Sequence, residues 1–169
     1  MKTIASILIF TIFNINLFAD GSAYRPVSRS KLKLEDFIPT NVELLNSSGE
    51  KVSRESVASE YTIVYFTATW CGPCRKTTEK FKKFKTKYHD RVEIVIISYD
   101  SAKALSKYMS DKKTWYSVSS DFYTKDEKGK LNKMASGNSR ATIPTYIIFD
   151  SDGKYVASYR FWPKFPLSN

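Results

Sequence analysis

Two cysteines stand three positions apart in the run Trp70-Cys71-Gly72-Pro73-Cys74, and the 169-residue chain has no others. Ahead of them, Tyr61 to Ala68 (YTIVYFTA) is apolar, aromatic and β-branched, the composition of a buried strand. Behind them, Arg75 to Tyr88 places Phe81, Phe84 and Tyr88 on one face of a helix. The pair therefore falls at a strand-to-helix junction, with Cys71 at the helix N-terminus. Unpaired backbone N–H groups and the positive end of the helix dipole there favour thiolate over thiol. The two-residue spacer lets the second sulfur reach the first. A thiolate that attacks and a neighbour that resolves are what thiol–disulfide exchange requires.

Other uses of the pair compete with this one. A purely structural disulfide closing so short a loop would add only about 2 kcal/mol in the chain-entropy model. Zinc needs four protein ligands in a closed site and three in a catalytic one, and the chain offers one cysteine pair and one histidine, His89, placed at the far end of the helix. A chaperone holding copper or zinc through the two thiols stays open as an alternative, although no third ligand lies near in sequence.

Residues 1–19 read as a secretory signal: Lys2 supplies the positive start, Ile4 to Phe18 is largely apolar, and Leu17-Phe18-Ala19 ends on a small residue. The run is short for a membrane span and is interrupted by Asn14 and Asn16; an uncleaved anchor is the competing reading. An exported chain whose only cysteines form one motif is not a disulfide-stapled scaffold. The expected location is periplasmic or secreted. Net charge is +10, and much of it lies on one helix, at Arg75, Lys76, Lys80, Lys82, Lys83, Lys85 and Lys87, read as a solvated face opposite Phe81 and Phe84. A sharper use of that face is attraction to acidic partners, or transient contact with an anionic membrane surface. No nucleic-acid signature accompanies the charge, so no nucleic-acid partner is expected.

Phe66-Thr67-Ala68-Thr69-Trp70-Cys71-Gly72-Pro73-Cys74-Arg75 resembles the active-site stretch of the thioredoxin superfamily. A second signature, Thr142-Ile143-Pro144-Thr145 before the apolar Tyr146 to Phe149, stands at the separation expected there. The segment Val92 to Trp115 is similar to tryparedoxin and nucleoredoxin, whereas the leader and the WCGPC core resemble exported thiol–disulfide reductases of the TlpA/ResA type. The resemblance runs from about Asn41 to Arg160. It implies an α/β, thioredoxin-like three-layer fold: a central mixed β-sheet flanked by helices, with an N-terminal β-hairpin extension. The expected organisation is a signal peptide over 1–19, a linker over 20–40 and a thioredoxin-like domain over 41–169.

Taken in order, Asn41–Leu45, Ser47-Ser48-Gly49 and Glu50–Val52 read as strand, turn and strand. Ser53 caps a short helix through Ala58. Val92 to Ser98 is a second buried strand, parallel to the first across the cysteine helix. A helix follows after Asp100 or Ser101, then an extended stretch around Trp115 and Val118, then a helix over Asp126–Ala135 with Leu131 and Met134 facing inward. Tyr146–Phe149 and Tyr155–Phe161 form a terminal hairpin around Ser151-Asp152-Gly153. Phe161–Asn169 is read as a packing tail.

By resemblance, Cys71 is the attacking and more exposed cysteine, Cys74 is the buried resolver, and the two form the redox-active disulfide. Trp70, Gly72 and Pro73 complete the loop, with Trp70 either shielding the motif or simply core. Proline suits the first helical turn, where its missing N–H costs nothing, and the Gly-Pro spacer is similar to that of reducing thioredoxins. Pro144 is expected to be cis and to face the cysteines, and the backbone of Ile143 to pair with a substrate chain. No cofactor and no metal are implied. Disulfide-containing client proteins and a membrane-embedded thiol donor are the implied partners; a disulfide oxidase or isomerase is the alternative direction. One departure stands out. The buried acid of thioredoxins, six residues before the attacking cysteine, is replaced by Tyr65, and the glutamate that exported reductases use six residues after it is Thr77. The proton acceptor for Cys74 is unassigned, with Glu79 a neighbour of uncertain angle.

Overall fold

The computed structural model describes residues 29–160. Seven strands form one sheet: β1 (Leu44–Leu45), β2 (Lys51–Val52), β3 (Tyr61–Thr67), β4 (Val92–Ser98), β5 (Tyr116–Val118), β6 (Thr145–Asp150) and β7 (Tyr155–Tyr159), in the order β2-β1-β5-β4-β3-β6-β7. β3, β4 and β5 run parallel, whereas β6 pairs antiparallel with β3 and β7 with β6. The expected N-terminal hairpin is β1–β2, antiparallel to each other and continued into the sheet through β1–β5 pairing.

Strands β3, β4 and β6 are buried on both faces, which is why they read as unbroken apolar runs rather than alternating ones. Alternate residues serve opposite faces. Ile63, Tyr65, Ile94, Ile96, Tyr146 and Ile148 pack with Phe81 and Phe84 of helix α1 (Gly72–Lys87) and with Leu105 and Met109 of α2 (Ala102–Met109). Val64, Phe66, Val95, Ile97, Ile147 and Phe149 form the other layer, against Ala135 of α3 (Lys125–Ser136) and the segment before β1. The thioredoxin-like three-layer fold follows from this two-sided burial.

The boundary of the domain lies earlier than Asn41. Within 29–40, read from sequence as linker, two short 3-10 turns fold against the sheet, and Leu32, Leu34, Phe37 and Ile38 are buried. Phe37 meets Phe66 and Phe149 edge-on or tilted, at centroid distances of 6.3 and 5.5 Å. This segment also runs beside the outer strand. Leu34 N–H donates to the Gly153 carbonyl (2.8 Å), Lys33 bridges to Lys154, and Arg29 donates to Ser158 Oγ at 3.0 Å. The proposed signal sequence, the rest of the linker and the tail from Phe161 lie outside the described residues.

Two faces differ from their periodicity. Lys85, counted with the solvated cations of α1, is buried; its Nζ donates to the carbonyls of His89 (2.7 Å) and Val92 (2.6 Å) and pairs with Glu93 at 2.9 Å. On α3 the buried residues are Lys128, Asn132 and Ala135, while Leu131 and Met134 are only partly covered. Thr124 and Glu127 cap the start of α3 reciprocally, and Gly137 (φ +67°) ends it in the left-handed region that favours glycine. A Cβ at Gly137 would lie 2.6 Å from the Arg29 guanidinium. Among the described residues, no helix is long and apolar enough to cross a membrane.

Candidate active site

β3 ends at Thr67, the chain crosses Ala68 to Trp70, and α1 starts at Gly72 with Pro73 in its first turn. Cys71 is the N-cap residue: its extended backbone (φ −83°, ψ 107°) lets its Sγ accept the Cys74 N–H at 3.2 Å. A cap position normally held by a side-chain oxygen is thus filled by sulfur, where the helix N–H groups stabilise negative charge on it. Cys71 and Cys74 are joined as a disulfide. Cys71 is 7% exposed and Cys74 is 0% exposed, so an incoming sulfur reaches only the first.

The loop is held from behind by Asp100. One carboxylate oxygen accepts the Thr69 hydroxyl (2.7 Å); the other accepts the Thr69 N–H (2.8 Å) and the Ser98 hydroxyl (2.7 Å). Arg75 reaches back to the Thr69 carbonyl at 3.4 Å. Trp70 is not core: 68% of it is exposed, at the lip of the cysteines.

The Ile143–Pro144 peptide is cis, and Sγ of Cys71 lies 3.9 Å from the Ile143 carbonyl oxygen. The backbone of Ile143 has no partner within the described residues nearer than that. Its neighbour is tightly held: Asn132 of α3 accepts the Thr142 N–H (2.8 Å) and donates to the Thr142 carbonyl (2.9 Å), and Thr145 Oγ1 donates to that same carbonyl at 2.6 Å. Sequence reasoning missed Asn132 and did not give Asp100 its role. Asn132 holds backbone ten residues away, and Asp100 holds the backbone and hydroxyl of Thr69, 31 residues away, so the only local signal was a polar residue at a buried helical or strand-end position.

Among the described residues, the side-chain hydrogen bonds to Cys74 come from hydroxyls and none involves a carboxylate. Tyr65 is fully buried and donates to the Cys74 carbonyl at 3.0 Å; Thr78 donates to the same oxygen at 3.0 Å and shares a 2.5 Å bond with the Tyr108 hydroxyl. Burial raises the Tyr65 and Tyr108 phenols above their ordinary range, so both stay neutral at physiological pH. Thr77 bonds the Pro73 carbonyl. Glu79 is exposed and pairs with Lys82 at 3.1 Å, away from the resolver. His89 is exposed at the far end of α1. Among the described residues, no group of three or more His, Cys, Asp or Glu side chains is placed to hold a metal.

Beside the cysteines opens a cavity of about 590 Å³ lined by Trp70, Tyr99, Tyr123, Lys125, Lys128 and Ile143, among others. Burial pushes the Tyr99 and Tyr123 phenols up to about 12. Tyr99 donates to the Lys128 carbonyl and Tyr123 to that of Phe37. Lys128 Nζ donates to the Ser120 carbonyl at 2.7 Å, and burial lowers its pKa.

A thioredoxin-like family model matches residues 59–155. The tryparedoxin of Trypanosoma brucei brucei is 29% identical over 121 residues, covering 70% of this chain and 80% of its own length. The nucleoredoxin of Bos taurus is 30% identical over 118 residues, 67% of this chain; the match spans only 26% of that longer protein. Among solved structures, native tryparedoxin I from Crithidia fasciculata superposes with a TM-score of 0.59 at 29% identity, over 74% of this chain and 85% of that one. The thioredoxin of Wuchereria bancrofti does so with 0.57 at 30% identity, over 70% and 81%. A matching family model over more than half the chain, a sheet of the same kind and a cysteine pair at the helix start agree: the chain belongs to the thioredoxin-like family and is a thiol–disulfide oxidoreductase.

Proposed function

We propose that the protein is an exported reductase of client-protein disulfides. The observation that carries this reading is the setting of Cys71: a helix N-cap sulfur, the only one of the pair that solvent touches, facing a backbone segment with unused hydrogen-bonding groups. In the dithiol state, the Cys71 thiolate attacks one sulfur of the client disulfide. An S–S bond forms to Cys71, the client S–S bond breaks, and the departing thiolate takes a proton from solvent. Cys74 then loses its proton and attacks Cys71 Sγ, releasing the second client thiolate and closing the Cys71–Cys74 disulfide. Two electrons have passed to the client. A membrane-embedded dithiol donor, itself oxidised to a disulfide, returns the protein to its reduced state. Export rests on the apolar leader and on both cysteines lying in one motif.

Insulin reduction in the presence of dithiothreitol tests the activity. Wild type accelerates precipitation, and Cys71→Ser does not; equal traces would refute the reading. The direction is tested by the redox potential. A value near the thioredoxin figure of about −270 mV supports a reductase, and one near about −120 mV an oxidase.

A further inference from the structure

Two clefts flank the cysteines. The first is the cavity bounded by Trp70 and Ile143, into whose lining α3 brings Lys125 and Lys128. The second, about 560 Å³, is bounded by Gly72, Pro73 and Pro144, and α1 brings Arg75, Lys76 and Lys80 to it. The contact between Cys71 and the Ile143–Pro144 turn lies between the two. Neither lining contains an acidic side chain. The five cations form no ion pair among the described residues, whereas Lys51, Lys82, Lys85, Arg91 and Lys154 are all paired. The nearby acids are engaged elsewhere: Asp100 with Thr69 and Ser98, Asp121 with Ser119, Glu127 with Thr124, Glu79 with Lys82.

We infer that the site selects polypeptide disulfides whose cysteine is flanked on both sides by acidic residues. This rests on the reductase reading above and names its substrate class. An extended client strand advances about 3.3 Å per residue. With its cysteine at Cys71 and its backbone on the open edge of Ile143, residues before and after that cysteine reach the two clefts. Carboxylates there meet cations inside the distance over which salt leaves charges unscreened, about 10 Å at 0.1 M. Lys128, buried, hydrogen-bonded to the Ser120 carbonyl and within electrostatic reach of Asp121 and Asp100 though ion-paired to neither, is the most constrained of the five. A flat anionic bilayer cannot enter either concavity or pair with Ile143, so a chain fits the geometry better than a membrane does.

The test is single-turnover reduction by the full-length dithiol protein. Three synthetic disulfide peptides are compared, identical except that the two residues on each side of the bridged cysteine are Glu, Gln or Lys. At about 20 mM salt the Glu peptide should react about tenfold faster than the Lys peptide, with Gln between, and in about 0.5 M salt the rates should converge within about twofold. The exposed triple variant Lys76→Glu/Lys80→Glu/Lys125→Glu, checked for fold by circular dichroism, should reverse the order. Equal low-salt rates with efficient reduction of the Gln peptide would overturn the inference and leave the reductase reading standing. No reduction of any peptide would remove both. Charge-blind peptide rates, together with sedimentation of wild type but not the triple variant on phosphatidylserine vesicles, would assign the cations to a membrane and overturn it as well.

Discussion

Tyr65 occupies the position where a thioredoxin would carry its buried acid, and its phenol is spent on the Cys74 carbonyl. Since burial raises its pKa, it does not ionise between pH 5 and about 9, and among the described residues its hydrogen-bond partners include no carboxylate. The rate of client reduction against pH should therefore show one ionisation in that range, from the attacking thiol. Tyr65→Asp should add a second inflection; a two-step profile in wild type would contradict this. Tyr65→Phe leaves the Cys74 carbonyl with its bond from Thr78 and should cost about 1 kcal/mol in urea denaturation. Asp100 is more consequential, because three donors converge on it. Asp100→Ala should destabilise by about 2–3 kcal/mol, by the worth of charge-assisted hydrogen bonds, and should slow insulin reduction by freeing the turn that sets Cys71.

At the scale of elements, α3 acts as a brace. Asn132 pins Thr142 through both of its amide atoms and so fixes the height of the Ile143–Pro144 turn opposite Cys71. Asn132→Ala should lower kcat/KM for peptide disulfides about tenfold, as expected when a reacting geometry shifts by a fraction of an ångström; unchanged kinetics would show that the turn holds its own shape. Lys85 is the matching tie between α1 and β4, and Lys85→Ala, which strands Glu93, should cost about 3–5 kcal/mol in denaturant unfolding. Neither brace was legible in the sequence. Apolar runs announced β3, β4 and β6, and the cysteine motif announced the site, because those signals are local. Lys85, Lys128 and Asn132 are polar residues whose burial depends on carbonyls 7, 8 and 10 positions away. Residues 29–40 misled for a related reason: Leu32, Leu34, Phe37 and Ile38 are core, but Lys33, Glu35 and Asp36 between them give the segment the composition of a linker.

For the molecule as a whole, acid and truncation probe different parts of the stability. Asp111 joins α1 to the end of α2; hydrogen bonds from Lys112 and Lys82 hold its carboxyl down at about 2. A folded-state pKa below the unfolded value of about 3.9 contributes stability that is whole above pH 4 and is lost as pH falls towards 2. The denaturation midpoints of wild type and Asp111→Asn should accordingly differ at pH 6 and converge near pH 2, by a modest amount because the pair is largely exposed. Removing residues through Thr40 would strip four buried apolar side chains from the core. Deleting Phe37 alone should cost about 3–5 kcal/mol, against a typical total of about 5–15 kcal/mol. A chain beginning at Asn41 should lose its cooperative thermal transition. The segment's second contact, along β7, carries a separate consequence. A five-residue outer strand left bare is a template for pairing with a neighbouring molecule, so the lead-in that seals the interior also keeps one copy from zipping onto the next.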